Sequence, residues 1–258
     1  MDYNDYCKQF YLREDLQLYK DLIIAARVLN KFFIKTSGVQ MSLLKLKEPL
    51  GNLFMEYAAN KGTKNEEVFN ELLKDNGFNW QFSIHSAIYD LLTLEEDSLE
   101  GRTPLDWPGI NNIEGNNDHY TLNTVLGDIE VYKASEIFKN TKHYHIFKKE
   151  LAKNCYFRTY DFLSESDEYK AVLSHQPSAF HNGHYHSYLE NDEAVLDIAT
   201  NALYYSKESA AKVLTGEKLA TLSYEQVNQE FASLKDSLPE ECEENKLLTL
   251  TLYHDMHR

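Results

Sequence analysis

The sequence predicts an α+β fold: a helical N-terminal part followed by a part that combines helices with an antiparallel sheet. Three observations support this. Before residue 97, apolar residues recur at three- and four-residue spacing, as on the buried face of a helix. After residue 119, shorter apolar runs alternate with turn residues. The 10 glycines and 5 prolines among 258 residues are too few for an all-β chain rich in tight turns.

Four apolar stripes define the helical part. Pro49 suits the first turn of a helix, because its missing N–H would have no partner there. Thr63 and Glu66 have the spacing of a capping box in front of a third stripe. The predicted helices cover residues 8–35, 49–60, 63–76 and 80–94.

A segment over 97–119 concentrates Gly, Pro and Asn residues, which are typical of loops. We therefore expect a boundary there. It separates a helical region over 1–110, a possible cap or partner-binding module, from an α+β domain over 111–258.

The second part mixes short elements, each predicted from a local apolar run. The tail over 247–253 fits either a strand or a helix. The predicted strands are 127–132 and 169–173. The predicted helices are 135–138, 146–152, one that starts near Cys155, 206–214 and 223–234.

The charge of the chain excludes some partners. A formal net charge of −15 and the lack of a basic patch argue against direct binding to nucleic-acid phosphates. The longest apolar patch, Leu22–Phe33, is interrupted by charged residues and is too short to span a bilayer. Three widely spaced cysteines form neither a disulfide framework nor a zinc ribbon, so we expect a cytoplasmic protein with reduced thiols.

Residues 184–197 indicate a β-hairpin that places an imidazole beside a carboxylate. If Asn191-Asp192 form a two-residue turn, counting back places His186 directly opposite Asp197. Opposed residues share one face of a sheet, with Cβ atoms about 4.5–5.5 Å apart. A carboxylate at that distance can hold an imidazole in one tautomer.

Cys155 is the candidate nucleophile. Asn154 is a good N-cap, so Cys155 would lie in the first turn of a helix, where N–H groups and the helix dipole stabilise a thiolate. The alternative is a small buried thiol without chemistry, the commoner fate of a single cysteine.

Other histidines compete with His186 for the role of base, among them His175. A metal site from His181, His184 and His186 is conceivable, but these residues match no established ligand motif. The prediction is therefore a site with no metal and no cofactor.

Residues 150–200 resemble the transglutaminase-like branch of the papain-like cysteine superfamily. The resemblance implies that Cys155 has the family's role of nucleophile, His186 that of base and Asp197 that of orienting acid. Tyr156 and Ile198 stand where many members have Trp or His and Pro, respectively. The matching segments are 154–157, 186–190 and 195–200.

The resemblance implies a papain/transglutaminase-like helix-and-sheet domain and a thiol hydrolase or acyl transferase. Its substrate would be protein or peptide-like, attacked at an amide or ester; protease, deamidase and transferase chemistry stay open, as does the oligomeric state. The alternative from a different class is an acidic, non-catalytic protein that binds and inhibits a basic partner or imitates a nucleic acid.

Overall fold

The computed structural model describes residues 3–41, 48–93, 103–148, 155–234 and 245–257. Within these ranges the chain forms ten α-helices and one eight-stranded sheet in which every pair of neighbouring strands is antiparallel. The predicted α+β class is confirmed. No helix in these ranges combines the length and apolar character needed to cross a membrane.

The first four helices agree closely with the predicted stripes. They are α1 (Tyr3–Ser37), α2 (Pro49–Asn60), α3 (Asn65–Asp75) and α4 (Trp80–Thr93). The capping box before α3 is modified: Thr63 accepts a hydrogen bond from the Asn65 N–H, while Glu66 accepts one from Gly62. Helices α1 to α3 share an aromatic-rich core in which the Phe32 and Phe69 rings lie 4.4 Å apart.

The remaining helices and the strands follow in chain order. The helices are α5 (Ala134–Ile137), α6 (Tyr144–Lys148), α7 (Cys155–Glu165), α8 (Lys207–Val213), α9 (Tyr224–Leu234) and α10 (Lys246–Met256). The strands are β1 (Ile110–Gly115), β2 (His119–Thr124), β3 (Ile129–Lys133), β4 (Lys170–Pro177), β5 (Asn182–Glu190), β6 (Val195–Asp197), β7 (Ala202–Tyr204) and β8 (Glu217–Leu222). Their order in the sheet is β1-β2-β3-β7-β6-β5-β4-β8.

These bounds correct one expectation and decide an alternative that was left open. The segment 97–119 is not a loop throughout, because it contains strand β1, which pairs with β2 at the sheet edge. The tail, left open between strand and helix, is the helix α10. The division into domains over 1–110 and 111–258 stays a prediction. Residues 94–102, 149–154 and 235–244, which include Asn154 and Cys242, lie outside the described residues.

Helices cover both faces of the sheet. On one face, α7, α9 and α10 pack over residues such as Leu173 and Leu196. On the other face, α4 and α8 pack over residues such as Tyr188 and Val195. Strand β6 ends at Asp197 while β5 extends further, so the sheet has a notch beside the first half of β5.

The hairpin exists, but its predicted turn is one residue early. The turn lies at Asp192-Glu193, because Glu190 pairs with Val195 and the Asn191 N–H bonds the carbonyl of Ala194. Moving a turn by one residue changes each cross-strand partner by two positions, which preserves the face. His186 is therefore diagonal to Asp197 instead of opposite it, and the two side chains still share one face.

Candidate functional site

A cavity of about 540 Å³ opens at the notch beside β5. Its wall is assembled from both layers of the fold: α4 supplies one side, the start of α7 another, and β5 with the turn after β6 the floor. The lining residues are His85, Ser86, Tyr89, Asp90, Trp107, Cys155, Arg158, His184, Tyr185, His186, Ala199 and Thr200.

His186, which lines this cavity, forms a buried pair with Asp197. The His186 Nε2 atom lies 3.0 Å from Asp197 Oδ2, and the two side chains are 6% and 0% exposed. The second carboxylate oxygen, Oδ1, accepts a hydrogen bond from the Ala199 N–H. The carboxylate is thus held at both oxygens and orients the imidazole.

Cys155 is the first residue of α7, is partly buried, and lines the same cavity. His186 lines the same cavity, and Cys155 contributes to the raised pKa of its imidazole. The side chain of Cys7 and all of Cys242 lie outside what the structure describes, so they cannot be compared with Cys155.

A third side chain completes the cluster. His85, on α4, places its Nε2 atom 3.0 Å from the same Oδ2 of Asp197, and its ring centre lies 5.7 Å from that of His186. The His85 side chain is 18% exposed, so it connects the buried carboxylate to the cavity. One carboxylate oxygen of Asp197 therefore forms hydrogen bonds with two imidazoles.

The pKa values of the pair move in opposite directions. Burial disfavours a charged His186, but the charge and hydrogen bond of Asp197, with a smaller contribution from Cys155, outweigh burial and hold its pKa well above the usual value. Burial likewise opposes ionisation of Asp197, yet His186 first and His85 second lower its pKa below the usual range. The geometry thus favours an imidazolium–carboxylate ion pair.

His184 has the opposite electrostatic character. It lies two residues before His186, on the same strand face, with the ring centres 6.1 Å apart. Burial, followed by the charges of His186, His85 and His175, lowers its pKa to about 3. A neutral imidazole therefore lines the cavity next to a charged one.

Arg158 adds a buried positive charge one helical turn after Cys155. Its guanidinium donates hydrogen bonds to the carbonyls of Ile198 and Ile146, and so anchors α7 to the turn after β6. Burial lowers its pKa, while the charge of Asp197 partly offsets that effect. Next along α7, the Thr159 hydroxyl donates to the Ser187 carbonyl on β5.

The three histidines considered as a conceivable metal site, His181, His184 and His186, are not all brought together. His181 turns away to Asp21, with its Nδ1 atom 3.0 Å from the carboxylate oxygen. The ligand-type atoms that do converge belong to His85, His186 and Asp197, and they lie within 4.8 Å of one another. The partners of His186 in this cluster are therefore His85 and Asp197, and not His181.

His85 and Arg158 were missed in the sequence. His85 lies beside the apolar stripe of α4, on a face shared with Ser86, Tyr89 and Asp90. Polar and aromatic residues at i, i+1, i+4 and i+5 beside an apolar stripe were the available signal, although such faces are usually solvated.

Comparison with known proteins found no relative. No family model matches the chain, and neither a curated protein nor a solved structure is significantly similar to it.

Proposed function

We propose that this protein is a cysteine-dependent hydrolase or acyl transferase, with Cys155 as nucleophile, His186 as base and Asp197 as orienting acid. The observation that carries the proposal is the buried His186–Asp197 pair, whose imidazole lines the same cavity as Cys155. The three groups are held by different elements: Cys155 on α7 and His186 on β5 line the cavity, and the fully buried Asp197 ends β6. We also propose a transglutaminase-like domain. The reason is that a helix, a strand and a second, antiparallel strand carry Cys, His and Asp in this order.

The reaction would proceed in two stages. In the reactive form the proton of Cys155 is already held on the His186 imidazolium, and the thiolate attacks the carbonyl carbon of an amide or ester. When the tetrahedral intermediate collapses, the imidazolium returns that proton to the leaving amine or alcohol, and a thioester remains on Cys155. Water or an acceptor amine then gives a proton to His186 and attacks the thioester, which restores the thiol.

The surrounding residues support these steps. Position 155 at the start of α7 places the thiolate near the positive end of the helix dipole, which stabilises anions. Asp197 stabilises the imidazolium that forms in each stage. Tyr89, Trp107 and Tyr185 give the cavity aromatic walls, which suit a peptide-like substrate. A reducing compartment such as the cytoplasm would keep the thiol free.

The test uses thiol chemistry, because it requires no knowledge of the substrate. Iodoacetamide at about pH 6, well below the ordinary thiol pKa of about 8.5, should label Cys155 first, as located by peptide mass spectrometry. A simple activated ester such as p-nitrophenyl acetate should leave an acetyl group on the same residue. Cys155→Ala should fold normally and lose both reactions, whereas Cys242→Ala, which removes a thiol between two glutamates, should keep them.

Two results would overturn the proposal. One is labelling of Cys155 that follows an ordinary thiol titration and is unchanged in His186→Ala. The other is full biological activity of Cys155→Ala. A basic partner that binds the unaltered chain and is released by high salt would then favour the acidic interaction protein.

A further inference from the structure

We propose that His85, His186 and Asp197 form a reversible Zn²⁺ site, and that the bound ion stops the chemistry of Cys155. The regulatory half of this inference rests on the proposed function, whereas the binding of the ion does not.

The three ligand atoms converge within 4.8 Å of one another. Oδ2 of Asp197 lies 3.0 Å from Nε2 of His85 and 3.0 Å from Nε2 of His186. Tetrahedral Zn²⁺ bonds such atoms at about 2.0–2.1 Å, which sets them about 3.3 Å apart. An approach of the two imidazoles to each other would bring all three atoms to that spacing.

The type of donor also suits zinc. Two imidazole nitrogens with one carboxylate oxygen form a three-ligand set that leaves a fourth position for water. The partly exposed His85 side chain borders the cavity, so that position and the entry path lie on the cavity side. The Ala199 N–H holds the other oxygen of Asp197, as an outer-shell partner of a metal ligand commonly does.

Zinc and catalysis would compete for the same imidazole. The ion would take the place of the proton that His186 shares with Asp197 through Nε2, and that proton would leave to solvent. The ion would occupy the ring nitrogen that Asp197 now orients, so the His186–Asp197 pair on which turnover depends would be broken.

The binding test uses the full chain carrying Cys155→Ala, which removes the reactive thiol and no proposed ligand. Zn²⁺ alone is titrated in competition with a chromophoric chelator, after prior removal of metal. One equivalent should bind. Adding His85→Ala should raise the dissociation constant for Zn²⁺ by at least about 100-fold, because loss of a ligand should lower the affinity by no less than loss of an outer-shell partner does. Adding His254→Ala should leave it unchanged, because His254 pairs with Glu230 outside the cavity.

A second measurement avoids variants at the ligands. Co²⁺ bound to the unsubstituted chain should give a tetrahedral spectrum without a thiolate-to-cobalt band, because Cys155 is not among the ligand atoms that converge. A thiolate band, no equimolar binding, or unchanged affinity in a folded His85→Ala variant would each overturn the site.

Acylation of Cys155 separates the two proposals. Equimolar Zn²⁺ should slow acetylation by p-nitrophenyl acetate at least tenfold, and a chelator should restore it. Unchanged acetylation at saturating Zn²⁺ would overturn the switch. If the unsubstituted chain is never acetylated but Cys155→Ala binds Zn²⁺, the proposed function falls and the metal site stands.

Discussion

Asp197 and His85 are hydrogen-bonded at 3.0 Å although 112 positions of the chain separate them. The contact joins α4, in the helical part, to the last residue of a central strand. Because the same oxygen also holds His186, the orientation of the proposed base depends on how α4 packs on the sheet. This coupling and its neighbours lead to four predictions.

Asp197→Asn should slow low-pH alkylation of Cys155 by about 100-fold, within the range that acid–base groups contribute. The amide has no charge to stabilise the imidazolium, so the pKa of His186 should fall and the thiol should keep its proton. The pH profile of iodoacetamide labelling would show this as a shift to higher pH. A profile identical to that of the unsubstituted chain would show that Asp197 does not act through His186.

His85→Ala should lower the free energy of unfolding by about 1–3 kcal/mol, since a buried carboxylate would lose one of its hydrogen-bond partners. Urea denaturation followed by circular dichroism measures the change. His254→Ala is the control, because it removes a histidine from a partly exposed carboxylate pair and should cost less than about 1 kcal/mol. Equal losses in both variants would contradict a special role for the His85 contact.

The stability that Asp197 confers should depend on pH in two directions. Its folded pKa is lowered, so its contribution is present above the unfolded value of about 4 and is lost as the pH falls. The folded pKa of His186 is raised, so that contribution is complete below about 6.5 and is lost as the pH rises through the folded pKa.

The difference in unfolding free energy between the unsubstituted chain and Asp197→Asn should therefore be largest between about pH 4 and 6.5. Denaturation curves at a series of pH values measure it. A difference that does not vary with pH would mean that the pair is not ionised in the folded protein.

Asn191→Ala should destabilise the hairpin by about 1 kcal/mol, the usual cost of losing a side-chain cap. The Asn191 Oδ1 atom accepts hydrogen bonds from the Glu193 and Ala194 N–H groups, which close the turn between β5 and β6. Asn191→Asp keeps an oxygen there and should restore most of the stability in thermal unfolding. If the two variants are equally unstable, the turn hydrogen bonds are not the cause.

Local patterns predicted the helices because the apolar spacing that specifies a helix lies within its own segment. The stripe from Pro49 to Asn60 gave the bounds of α2 as observed. Strand β1 was missed since Ile110–Gly115 contains two asparagines and a glycine, all turn residues in isolation. Its extended form comes from pairing with β2, which is a tertiary effect that propensity does not contain.

The proposed site was predictable only in part, for the same reason. His186 and Asp197 are close along the chain, and alternation alone assigns them to one face even with the turn misplaced by one residue. His85 has its partner on a distant strand, so no local spacing reports it. Its role depends on how a helix docks, which the apolar stripe of α4 predicts only in general terms.

The position of Asp197 in the chain also has a consequence for biosynthesis. The ribosome produces Cys155 first, His186 next and Asp197 last, and chains begin to fold from the N-terminal side as they emerge. Until β6 has been made and has paired, His186 lacks the carboxylate that keeps it charged. In a nascent chain, the Cys155 thiol therefore lacks a charged imidazole partner. The proposed reactivity arises only when β5 and β6 have paired.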